Sequence, residues 1–244
     1  MNLAIDIGNS LSKAAVIDRG QVVDIFKAET FTPEYFEKLF RRYPAVDRGI
    51  LVSTRGEDDE LAAYLNGKLL TFICFDHAVP VPIRNAYATP ETLGLDRLAA
   101  AVGAAALHPG EASLVIDFGT AITIDFVTAD GEFRGGNISP GAAMRFRALH
   151  EFTGKLPQLS LAEPEGLLGR STRAAVENGV VQGIVHEIEG YITRLSETEG
   201  PFRVIFTGGD GNFFAKRLKN PIFASQDLVL YGLDRILEYN KADR

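Results

Sequence analysis

The sequence predicts an α/β protein made of two similar lobes, and three observations predict it. Strand-like and helix-like stretches alternate along all 244 residues. A short apolar segment ending in Asp6-Ile7-Gly8-Asn9-Ser10 is echoed by another ending in Asp117-Phe118-Gly119-Thr120-Ala121, so that Asp6 and Asp117 stand 111 positions apart, close to half the chain. Each echo runs into a second β-prone stretch, a turn signal and a third stretch before helical spacing begins. The repeat places the lobes at 1–110 and 111–244.

In the first lobe a strand over 2–7 leads to one over 13–18, and Arg19-Gly20 turns the chain into a third. Thr32-Pro33-Glu34 offers an N-cap, a proline at the first helical position and an acid in the first turn; the helix ends near Tyr43-Pro44. A strand over 49–54, a helix over 57–65 and a strand over 69–75 follow. Residues 79–92, with three prolines, read as a loop, and 94–108 as a helix so rich in alanine that it is expected to pack closely on its neighbours. In the second lobe, strands over 114–118 and 121–128 and a third after Asp130-Gly131 precede helices over 142–152 and 172–197, a buried strand over 203–207 and a closing helix over 228–239. The 172–197 helix carries Val176, Val180, Ile184, Ile188 and Ile192 or Tyr191 about one turn apart, with Gly179 and Gly183 nearby, the pattern of an ordinary core stripe.

Composition removes several classes of function. With 25 Lys+Arg against 32 Asp+Glu and no basic cluster, the chain lacks the counterion-releasing surface that nucleic acid requires. Its longest apolar stretches, at 69–75 and after Arg97, stop short of the ~18 residues of a membrane span. The opening Met-Asn-Leu-Ala-Ile-Asp has no basic segment before an apolar core, so a cytoplasmic protein is expected. One cysteine, Cys74, excludes an internal disulfide and any multi-cysteine metal site, and is expected to be a buried strand thiol. His77, His108, His150 and His186 are too dispersed for a local metal pair and are expected at the surface or at helix ends.

The chemistry concentrates in the turns. A strand ending in Asp-x-Gly presents a carboxylate at its carboxyl end, then a glycine that lets backbone N–H groups approach a phosphate. The carboxylates repel phosphate, so their expected task is to hold a hydrated cation that bridges to it. Two such turns facing each other would clamp a nucleoside triphosphate, and a third turn, Thr207-Gly208-Gly209-Asp210-Gly211, is expected near an adenosine. No Walker motif occurs, since Gly67-Lys68 and Gly154-Lys155 lack the following hydroxyl, and no Gly-x-Gly-x-x-Gly follows a strand.

Asp6-Ile7-Gly8-Asn9-Ser10, Thr92-Leu93-Gly94-Leu95-Asp96-Arg97, Asp117 to Asp125 and Gly135-Gly136-Asn137-Ile138-Ser139-Pro140-Gly141 closely resemble, in order, the successive motifs of type III pantothenate kinases. The likeness continues through Gly169-Arg170-Ser171-Thr172 and Phe206-Thr207-Gly208-Gly209 and covers nearly the whole chain. It implies duplicated ribonuclease H-like lobes of the actin-like ATPase and sugar-kinase superfamily, each a mixed sheet with flanking helices. It also implies transfer of the ATP γ-phosphate to pantothenate, the first step toward coenzyme A.

By the same resemblance Asp6, Ile7, Gly8, Asn9, Ser10, Leu11, Ser12 and Lys13 form the first ATP-phosphate loop, and Thr120 supplies a second contact. Asp117 matches the position that holds a monovalent cation, potassium or ammonium, with Mg2+ accompanying the nucleotide. Tyr87, Gly94, Leu95, Asp96 and Arg97 match pantothenate-binding positions, Asp96 the catalytic carboxylate, and Thr172 a substrate contact shared across a homodimer. Ser10 replaces the usual threonine and keeps its hydroxyl, whereas Thr54-Arg55-Gly56 departs from the family's small apolar and proline residues. The alternative is a regulatory protein of the same fold that binds nucleotide without turnover.

Other residues carry two readings. Asp96 and Arg97 also suit a plain first helical turn, the acid on the dipole and the arginine solvated. Lys13 suits either a phosphate or solvent. Asp125, alternating with Ile122, Ile124 and Phe126, is a second site carboxylate or a pairing residue. Arg145 and Arg147 suit a phosphate or a solvated helix face.

Overall fold

The computed structural model describes residues 1–56, 59–220 and 222–241. The chain forms two compact units, one of Met1–Ser113, Asp125–Gly135 and Asp227–Arg244, the other of Leu114–Ile124 and Gly136–Gln226. The elements run β1 (Asn2–Ile7), β2 (Ser12–Asp18), β3 (Gln21–Ala28), α1 (Pro33–Arg42), β4 (Arg48–Ser53), α2 (Asp59–Lys68), β5 (Thr71–Cys74), β6 (Arg84–Asn85), a 3-10 turn (Pro90–Thr92) and α3 (Leu95–Leu107). There follow β7 (Ser113–Phe118), β8 (Ala121–Val127), β9 (Glu132–Pro140), α4 (Ala142–Glu151), α5 (Thr172–Glu199), β10 (Arg203–Thr207), α6 (Gly211–Ala215), β11 (Ile222–Ala224) and α7 (Leu228–Tyr239).

One sheet has the order β3-β2-β1-β4-β5 and the other β11-β10-β7-β8-β9-β6. Without β6, the second repeats the first: a three-strand meander, then two strands added beside its first member. That is the duplication announced by the Asp6 and Asp117 echo. In the first sheet β1 is antiparallel to β2 and parallel to β4, so each sheet is mixed in the sense expected.

Side chains alternate across a strand. Leu3, Ile5 and Ile7 therefore share a core with Phe36, Leu39, Leu61 and Leu65 of α1 and α2. Asn2, on the other face of β1, donates through Nδ2 to Asp234 (2.7 Å) and Glu238 (2.8 Å) of α7. Helices on both faces explain why β1 is buried almost throughout. The alanine-rich α3 packs on α7 as expected, and so closely that a methyl on Gly103 would stand 2.6 Å from the Leu228 carbonyl oxygen.

Thr32 caps α1, its hydroxyl accepting from the Tyr35 N–H at 3.4 Å, and Tyr43 ends that helix before Pro44. The expected stripe on α5 is core, with Val176, Val180, Ile184, Ile188 and Ile192 all buried. His77, His150 and His186 are exposed, and His108 caps the end of α3.

Cys74 departs from expectation: it is exposed. It is the last residue of β5, an edge strand covered on one side only, and Phe75 takes the buried position after it. The start of the helix expected over 57–65 lies at Glu57, outside the described residues; from Asp59 onward the helix is present and runs on to Lys68. Within the expected loop 79–92, Arg84–Asn85 pairs in parallel with Glu132 and Phe133 of β9. No helix among the described residues is long and apolar enough to cross a membrane.

Candidate active site

The first turn hangs between β1 and β2. Asp6 is half-buried at the end of β1, while Asn9, Ser10 and Leu11 face solvent. A methyl on Gly8 would stand 2.7 Å from the Leu11 carbonyl oxygen, so the turn closes only with glycine there. Ser12 points inward and donates to the Glu29 carbonyl at 3.3 Å. Lys13 is neither solvated nor loose: its Nζ lies 3.4 Å from Asp227 at the start of α7.

The second turn, in the other unit, has a different support. Asp117 is half-buried and Gly119 and Thr120 are exposed. Two distant backbone segments, at Gly141 and at Gly208 to Asp210, close around it. The Gly141 N–H donates to the Thr120 carbonyl at 3.1 Å, and the Asp210 N–H to the Phe118 carbonyl at 3.2 Å. Gly208, at φ +85°, presses so closely on Asp117 and the Phe118 backbone that a side chain there would overlap both. Phe118 in turn stacks on Phe214 (4.9 Å) and tilts against Phe206 (4.7 Å). The third glycine turn, expected near an adenosine, thus supports the Asp117 turn. Partial burial pushes the Asp210 carboxyl above its ordinary pKa.

Tyr87, Gly94, Leu95, Asp96 and Arg97, the positions expected to bind pantothenate, all lie in the unit that holds the first turn. Gly94 caps α3, and Asp96 in its first turn accepts the Arg97 N–H at 2.8 Å. A methyl on Gly94 would stand 2.6 Å from Asp96 Oδ1, so glycine leaves room for the carboxylate. The exposed N–H groups of the helix terminus favour that negative charge by about 0.3–1 kcal/mol.

Arg97 is not the solvated residue of a plain helical turn. It is 6 % exposed and grips Asp125, itself 2 % exposed, with Nε at 3.1 and 3.2 Å from the two carboxylate oxygens and Nη2 at 2.5 Å from Oδ1. The Arg97 Cζ also lies 5.7 Å from the Tyr87 ring centroid and 6.0 Å from that of Phe133. Burial works against the guanidinium's charge, but hydrogen bonds to Asp125 and Tyr87 outweigh it and hold the pKa above the ordinary arginine value. Asp125 is therefore a pairing residue, and Phe133 a neighbour that sequence patterning did not single out.

Thr172 opens α5 in the other unit and is exposed, after Ser171 has capped the helix by accepting the Ala174 N–H at 3.2 Å. Arg145 is tied to the Pro140 carbonyl (2.7 Å), Ser139 and Glu187, whereas the exposed Arg147 pairs with Glu151 one turn on. Among the described residues no three His, Cys, Asp or Glu side chains gather as a metal cluster. The Asp117 turn carries a half-buried carboxylate, an oxygen ligand of the kind hard cations take.

A family model described as type III pantothenate kinase matches residues 2–194. A type III pantothenate kinase of Phocaeicola vulgatus is 46% identical over 240 residues, covering 98% of this chain and 99% of its own. Among solved structures, a Campylobacter jejuni protein assigned provisionally to the Baf family of transcriptional activators is similar at a TM-score of 0.63 and 23% identity, over 98% of both chains. A glucokinase from an Antarctic psychrotroph is similar at a TM-score of 0.54 and 10% identity, again over 98% of both. At those identities the two structures speak for the fold alone, which is that of the actin-like ATPase and sugar kinases.

Proposed function

The chain belongs to the type III pantothenate kinase family, and from that premise we propose that it transfers the γ-phosphate of ATP to the pantothenate hydroxyl, giving 4'-phosphopantothenate. The observation that carries the geometric side of this reading is the Asp96 carboxylate on the N-terminus of α3, next to the buried Arg97–Asp125 pair and Tyr87. A non-catalytic regulator would have no need of a carboxylate placed there, and the curated relatives are named as kinases.

In this reading the lobes are 1–110 and 111–244. Asp6 to Lys13 receives ATP phosphates, with Asn9 and Ser10 presented to solvent, and Thr120 supplies a further contact. Asp117 holds a potassium or ammonium ion, and Mg2+ arrives with the nucleotide; when bound, these cations neutralise phosphate charge. Tyr87, Gly94, Leu95 and Arg97 receive pantothenate. Full removal of an alcohol proton by a free aspartate would cost roughly 16 kcal/mol. Asp96 therefore aligns the hydroxyl and takes its proton late, after the loose transition state has formed.

Thr172 contributes to the pocket of a second copy in a cytoplasmic homodimer. Ile138, Phe152, Leu167 and Leu168, exposed on the same unit, with Phe152 at 86 % and Leu168 at 81 %, support such a contact.

ADP release on addition of pantothenate, with and without potassium, tests the reaction. Asp96→Asn is expected to lower kcat by about 10²–10⁴-fold while ATP binding changes little; unchanged turnover would overturn the role of Asp96.

A further inference from the structure

Asp125 lies on β8, outside the Asp-x-Gly turn and 28 positions from Arg97. A buried carboxylate among Ile122, Ile124 and Phe126 is costly unless it is paired, and this one is paired twice over by one arginine. The guanidinium has five N–H donors in a rigid plane. Asp125 occupies its Nε–Nη2 edge, Tyr87 takes a further hydrogen bond, and the Tyr87 and Phe133 rings limit its swing. Tyr87 is fixed in its turn: its N–H donates to Asn85 Oδ1 at 3.0 Å, and its ring lies against Gly135, where a methyl would stand 3.3 Å from Cδ2.

Resting on the pantothenate reading, we propose that Asp125 is a positioning residue for acceptor recognition: it holds Arg97 through Nε and Nη2, beside Tyr87, so that the guanidinium presents its remaining donors in a fixed orientation to the anionic end of the acceptor. Asp125 also cancels the arginine's net charge. Recognition then depends on hydrogen-bond direction more than on Coulomb attraction, and a freed Arg97 would keep its charge but lose its aim. The acceptor class that fits is a small alcohol carrying a carboxylate.

The test is steady-state kinetics on Asp125→Asn and Asp125→Glu, with pantothenate and ATP varied separately. Asp125→Asn is expected to raise the pantothenate KM tenfold or more and leave the ATP KM within twofold. A buried unpaired arginine can itself unfold a protein. Asp125→Glu keeps the charge, moves the carboxylate by one methylene, and is expected to raise the same KM severalfold with a folded circular dichroism spectrum. Restoring the geometry matters as well: Arg97→Lys, which keeps the positive charge without the fork, should raise the pantothenate KM as much as Asp125→Asn, and the double variant should add little. A pantothenate KM unchanged in Asp125→Glu, or a loss confined to kcat, would overturn the proposal alone. Absence of pantothenate turnover in the unsubstituted enzyme would overturn the functional reading and this proposal with it.

Discussion

In the turn after β1 a methyl on Gly8 would stand 2.7 Å from the Leu11 carbonyl oxygen, whereas in the matching turn after β7 a methyl on Gly119 would meet nothing closer than 3.4 Å. The two turns share Asp-x-Gly yet place the demand for glycine differently. The first closes on itself and is held at its far end by side chains, Ser12 on Glu29 and Lys13 on Asp227. The second is roomy within and is enclosed from without, by Gly208 against Asp117 and by the N–H groups of Gly141 and Asp210. A repeated motif therefore does not imply a repeated mechanical role: one turn depends on its own backbone, the other on segments far along the chain.

The largest effect that would break this contrast is at Gly208. Gly208→Ala forces a side chain into a left-handed conformation and into the Asp117 turn at once, with an expected loss of about 3 kcal/mol or more. For a chain of this size that is a fall in Tm of about 6–12 °C. Gly119→Ala, in ordinary van der Waals space, is expected to cost less than about 1 kcal/mol. Paired thermal melts decide it, and equal losses would mean that the second turn, like the first, depends on its own glycine.

Much of this contrast was illegible in the sequence, for a physical reason. What is local is readable: the strand ends at Asp6 and Asp117, the Thr32 cap, and the alanine surface of α3 all depend on neighbours within a turn or two. What depends on partners distant in the chain is not. The Asp125 alternation revealed a carboxylate in an apolar strand but could not name Arg97 as its partner. The contact of Gly208 with Asp117 is not readable, because the two are remote in sequence. Cys74 was misplaced because burial at a strand's end depends on the sheet order, which no local pattern carries. The two-residue pairing of β6 and the short α6 and β11 give too few residues for any period to appear.

A smaller and more selective effect separates the turns in function. Asp117→Asn is expected to raise the ATP KM severalfold and blunt the response of turnover to potassium, because the second turn is the one proposed to hold the cation. Asp6→Asn should weaken ATP use while leaving potassium dependence in place. Titrating potassium against both variants checks this, and the same flattened response in both would erase the functional difference between the turns.

The smallest effect concerns the brace itself. Asp210 hands its N–H to Phe118 while its side chain is partly buried, and that burial raises its carboxyl pKa in the folded protein. A free aspartate titrates near about 3.9, so between that value and the raised one the native state binds the proton more firmly than the unfolded chain does. The contribution of Asp210 is thus fully favourable below the unfolded value, and it declines as pH rises through the folded one. Asp210→Asn has nothing to ionise and keeps the backbone N–H that supports the second turn. The variant should match the parent near pH 3 and exceed it at pH 7 by less than about 1 kcal/mol, as read from urea unfolding at the two pH values. An equal offset at both would mean that the side chain acts through packing and not through its charge.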